Sequence, residues 1–134
     1  MRVRPLFLAL VVLAACAPQE GEAVSDDGPI TTVPQLEAAL SSSGLLLSPR
    51  AITTPALVTG NGQEYAVRGV ANGFIQVYSF PSEETADRNV GFIDLSAGAG
   101  TVEVYQSGPL VVAAYGRNAT IGSALRRALG SPRL

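Results

Sequence analysis

The stretch Thr101-Val-Glu-Val-Tyr-Gln106, Ser107-Gly108-Pro109, Leu110-Val-Val-Ala-Ala-Tyr115 decides the fold. Two runs rich in β-branched and aromatic residues flank a glycine–proline connection, the pattern of a hairpin. The period then changes. Ile121, Leu125 and Leu129 recur at helical spacing, with Asn118 or Thr120 placed to cap the start. Arg126 and Arg127 stand in the last turn, where the negative helix end favours cations; Gly130 stops the helix and Pro132 lies beyond.

The same strand–strand–helix order occurs once before, so the two units cover 64–95 and 101–129. Glu64 to Arg68 alternates as a strand, Asn72-Gly73 marks a reversal, and Phe74 to Phe80 is the most strand-like run in the chain. Pro81-Ser82-Glu83-Glu84 opens a helix with Ser82 as cap and two acids at its positive end; Gly91 interrupts its far side and Gly98-Ala99-Gly100 ends the region. A first helix precedes both units. Thr32 and Gln35 fit a capping box, Pro34 sits harmlessly in the first turn, and Val33, Leu36 and Leu40 share a face up to about Ser43 and Gly44. Leu45-Leu46-Leu47 begins an extended stretch broken by Pro49 and Pro55. The expected fold is α+β: an antiparallel sheet of four to five strands with helices on one face.

Pleat alternation divides the strands into two faces. Tyr65, Val67, Ile75, Val77, Val102 and Val104 are expected on the core side, with Leu110, Val112 and Ala114. Glu64, Arg68, Gln76, Tyr78, Glu103, Tyr105 and Tyr115 fall opposite. From these the candidate binding face is Arg68, Gln76, Tyr78, Glu103, Tyr105 and Tyr115, because aromatic residues with arginine are what recognition surfaces favour. The competing reading is an ordinary solvated sheet face, with tyrosines present for strand propensity and cross-strand packing.

Composition narrows the chemistry. The chain has 134 residues, 9 basic and 11 acidic, a net charge of −2, and no His or Trp. Every basic residue is Arg, so a Schiff-base lysine and a phosphate-binding Gly-Lys loop are excluded along with histidine catalysis and histidine-ligated metal. No cofactor or metal is expected, and the charge gives no reason to bind nucleic acid. Glu83, Glu84 and Asp87 are explained by their place in a first helical turn. Gly60-Asn61-Gly62 reads as a turn, and Asn118-Ala119-Thr120 as a cap region and not a glycan acceptor. No motif places two carboxylates for hydrolysis, so an enzyme is not expected. The alternatives are a loop-mediated accessory or inhibitor module using Pro49 to Gly62, and a small carboxylate-dependent hydrolase.

The start of the chain carries an address. Arg2 and Arg4 precede the unbroken apolar run Leu6 to Leu13, too short for the roughly 20 residues that span a bilayer. Leu13-Ala14-Ala15-Cys16 resembles the bacterial lipobox. By that resemblance residues 1–15 are a lipoprotein signal peptide, and Cys16, the one cysteine, becomes the acylated first mature residue. Cleavage after Ala17 is the alternative, and it would leave the poorly tolerated Pro18 first. Residues 16–32 then read as lipidated Cys plus a flexible acidic tether, and 33–134 as a single neutral domain with 7 acids and 7 arginines. The expected partners are membrane lipid through Cys16 and an unknown protein or small molecule. The expected place is the cell envelope: the periplasmic side of an outer membrane, or the outer face of a lone plasma membrane.

A wider likeness covers roughly 44–130. The helix ending near Gly44, Ile75-Gln-Val-Tyr-Ser-Phe-Pro before an acidic helix, and Tyr105-Gln-Ser-Gly-Pro-Leu-Val-Val-Ala-Ala-Tyr-Gly before a leucine-rich helix together resemble small bacterial lipoproteins. That resemblance implies a single α+β domain of uncharacterised role and adds no activity.

Overall fold

The computed structural model describes residues 28–51, 61–93, 102–116 and 118–133. The signal, the lipobox and most of the tether lie outside the described residues, as do 52–60 of the proline-bearing loop and 94–101 after the second helix. The elements are α1 (Val33–Ser42), β1 (Leu47–Arg50), β2 (Asn61–Val67), β3 (Phe74–Ser79), α2 (Glu83–Asn89) running into a 3-10 turn (Val90–Phe92), β4 (Glu103–Ser107), β5 (Leu110–Tyr115) and α3 (Ala119–Leu129). The strands form one five-stranded antiparallel sheet in the order β1-β2-β3-β5-β4. The fold is α+β.

Local chemistry sets the helix boundaries. The Thr32 hydroxyl accepts from the Gln35 N–H at 3.4 Å while the Gln35 side chain accepts from the Thr32 N–H at 3.2 Å, closing the capping box. Ser82 accepts from the Thr85 N–H at 3.2 Å, and Asn118 from the N–H groups of Thr120 and Ile121. Gly44 (φ +80°) turns the chain off α1.

Helices α1 and α3 share one face of the sheet. Leu36, Leu40, Ile121, Ala124 and Leu125 pack there on Tyr65, Val67, Ile75, Val77, Leu110, Val112 and Ala114. Ile30 joins them, so the packed domain reaches three residues further back than Val33. Helix α2 lies on the other face. Its Ala86, with Val90 and Ile93 just after it, packs on Val104, Val111, Ala113 and Tyr115.

The β4–β5 hairpin corrects the expected faces of β4. Gly108 (φ +55°) and Pro109 form a two-residue turn, and Ser107 opposes Leu110. Tyr105 must then oppose Val112, and Glu103 oppose Ala114. Opposed residues share a face. Tyr105 and Glu103 therefore lie on the α1/α3 side, and Val104 lies with Val111 and Ala113 on the α2 side.

Truncating Leu125, fully buried in α3, tests this packing. Leu125→Ala is expected to cost about 2–5 kcal/mol through lost transfer energy and a residual cavity, read from urea unfolding midpoints.

Candidate functional site

One row of residues runs straight across the sheet on the α2 side: Arg50 opposes Glu64, Glu64 opposes Gln76, and Gln76 opposes Ala113. The row holds the only buried polar side chains among the described residues, Glu64 at 0% and Gln76 at 1% exposure. Arg50 Nε donates to Glu64 Oε1. Gln76 Nε2 donates to Glu64 Oε2 at 3.0 Å. Gln76 Oε1 then accepts from two phenols, Tyr78 at 2.6 Å and Tyr115 at 3.1 Å. Burial of a carboxylate is tolerable here because a guanidinium and an amide replace the water it loses.

Aromatic rings wall the row. Phe74 opposes Tyr115 and stacks on it, with centroids 4.8 Å apart and planes within 6°. The Arg50 guanidinium lies 4.4 Å from the Phe74 centroid, a cation–π contact on a ring already held by its neighbour. Tyr78 leans over Gly62, where a Cβ would stand 2.7 Å from its Cε1 atom. Glycine at that position is what lets the phenol reach Gln76.

The sequence-derived binding face is therefore only half assembled, and it is not open. Gln76, Tyr78 and Tyr115 converge, but both tyrosines are 2% exposed. Arg68 stands apart, exposed at the end of β2, where its backbone N–H donates to the Leu46 carbonyl at 2.9 Å. Glu103 and Tyr105 lie on the opposite face. Arg50, at the end of the row, and Phe74, which walls it, were missed: Arg50 sits in no local motif, and Phe74 reads only as the start of a strand. Chemically the row orients side chains. Its phenol protons are committed to an amide oxygen, and its carboxylate to a guanidinium.

A second cluster joins β4 to α3. Tyr105, fully buried, donates to Glu103 Oε2 at 2.5 Å, and Arg126 pairs with the other carboxylate oxygen. Gly122 makes room, since a Cβ there would meet Glu103 at 3.1 Å. Burial, and then the hydrogen bond to Glu103, hold the Tyr105 phenol far above its ordinary value of 10.0. A third cluster, at the sheet edge, joins Asp87, Gln106 and Arg133. Hydrogen bonds from Arg133 and Gln106 hold the Asp87 carboxyl below its ordinary value of 3.8.

Outside the helices, α1 and α3 leave a shallow groove of about 330 Å³ lined by Ser43, Ala119, Thr120, Ser123, Ala124 and Arg127. An adjoining hollow is lined by Gly28 and Ile30. Among the described residues no three His, Cys, Asp or Glu side chains gather as a metal site. The chain matches no protein family, no curated protein and no solved structure.

Two outcomes are expected. Gly62→Ala should push Tyr78 off Gln76 and cost about 1–3 kcal/mol in urea unfolding, as overpacking does. Because Tyr105 keeps its proton when folded, its contribution is complete below about pH 10 and is lost as the pH rises further, where unfolded chains ionise first. Comparing unfolding midpoints at about pH 8 and about pH 11 should show a fall that Tyr105→Phe flattens.

Proposed function

We propose that this chain is a lipid-anchored extracytoplasmic domain that works by contact and not by catalysis. One observation carries the reading: Leu13-Ala14-Ala15-Cys16 directly follows a basic start and the apolar run Leu6 to Leu13. Acylation of Cys16 makes membrane lipid the first partner. Two or three acyl chains, at about 0.8 kcal/mol per buried methylene, hold a protein durably where one does not. The domain so held meets a protein or small molecule of the cell envelope.

Ion pairing supports contact over hydrolysis. Glu64, Glu84, Asp87 and Glu103 each hold an arginine. Hydrolysis by paired carboxyls needs two of them turned toward one substrate, separated by about 5–10 Å.

Cells making the full chain with labelled palmitate test the anchor. Wild type is expected to take up label and sediment with membranes, and Cys16→Ser to lose both properties. An unlabelled wild type, or a Cys16→Ser protein still bound to membranes, overturns the reading.

A further inference from the structure

The two edges of the sheet are defended in different ways. Strand β1 has four residues, and its third is Pro49, which offers no N–H to an incoming strand; Arg50 adds charge. Proline and charge are ordinary defences of an exposed edge. Strand β4, Glu-Val-Tyr-Gln-Ser, has no proline, and its one charge, Glu103, is paired with Arg126 of α3. Its protection comes from elsewhere in the chain.

Helix α3 ends at Leu129, and Gly130 (φ +86°) turns the chain away. The next residues cross the β4 edge from the α3 side to the α2 side. The Arg133 N–H donates to the Val104 carbonyl at 2.7 Å, the kind of bond a sixth strand would make. Its guanidinium then reaches Asp87 Oδ1 of α2 at 2.5 Å and Gln106 Oε1 of β4. Gln106 completes the knot by donating to Asp87 Oδ1 at 3.0 Å. Alternation along an antiparallel strand means that Val104 and Gln106 present their backbone groups to the same outer side.

We infer that the segment 131–133 is an edge guard, and that the strand it keeps out is β4 of a second copy of this chain. A strand meeting its own twin in antiparallel register makes every contact twice about a two-fold axis, so an unguarded β4 is complementary to itself. Pairing of that kind also carries the apolar row Val104, Ala113 across the junction. At β1, Pro49 withholds an N–H that such pairing would use.

The test uses the full chain in detergent, followed by light scattering and sedimentation velocity. Wild type is expected to be monomeric. Arg133→Pro removes both the backbone donor and the guanidinium, and its dimer dissociation constant should fall at least about a hundredfold below that of wild type. Arg133→Ala keeps the backbone donor and should shift it at least about tenfold. Adding Gln106→Lys to Arg133→Pro sets like charges on the facing edges and should restore the monomer. A wild type already paired through β4, an Arg133→Pro protein that stays monomeric, or a dimer indifferent to Gln106→Lys overturns the inference. Should Arg133→Pro fail to fold, Arg133→Ala decides alone: tighter self-association supports the guard, and unchanged association refutes it.

Discussion

All six residues of β5 are buried, and that two-sided burial is the constraint on which the architecture rests. A strand with an apolar face on each side needs cover on both. Among the described residues three α-helices supply it. The two longer ones go to the side carrying Ile75, Val77 and Val112, where their leucines find a continuous apolar floor. The shorter α2 covers Val104, Val111 and Ala113. Toward β1 the α2 side of the sheet carries the polar row, whose side chains satisfy one another.

The row is an economical answer to a shortage of apolar cover. Ala113 and Gly62 are the small residues beside it, and their missing bulk is filled by tyrosine rings from neighbouring positions. Each ring brings a large apolar body and one polar tip, and both tips end on the same amide oxygen. Gln76 is oriented by this arrangement, since an amide with its oxygen toward two donors must present its nitrogen to Glu64. The charge of Glu64 is in turn fixed opposite Arg50. Four strands' worth of sequence thereby share one hydrogen-bonded chain, from β1 to β5.

Much of this was legible in the residues, and the misses have physical causes. Caps at Thr32, Ser82 and Asn118, and stops at Gly44 and Gly130, are local chemistry and read correctly. The α+β class followed from the order of periods. The parity of β4 was misread because Val102 and Val104 look like core residues, and in fact they are, on the other face. The signal that settles the matter was present: a two-residue turn at Gly108-Pro109 forces odd positions of β4 to oppose even positions of β5. The apolar character of Val111 and Ala113, as well as Val112 and Ala114, was a second sign that both faces are covered. The row itself was beyond local reading. Arg50, Glu64 and Gln76 are brought into line only by the register of three strands, and nothing in their spacing reveals it.

The ion pairs are distributed with a bias that shapes how the domain responds to its surroundings. Arg50–Glu64 sits at one margin of the sheet, and Arg126–Glu103 and Arg133–Asp87 at the other, while β3 and β5 between them are held by apolar packing and the ladder. Electrolyte weakens exposed charge pairs much more than it weakens hydrophobic contact. Brine therefore loosens this molecule first at the β4 rim, where Arg133 and Asp87 are about half exposed, and far less at the β1 rim, where Glu64 is buried: amide protons along β4 become exchangeable ahead of those of the inner strands.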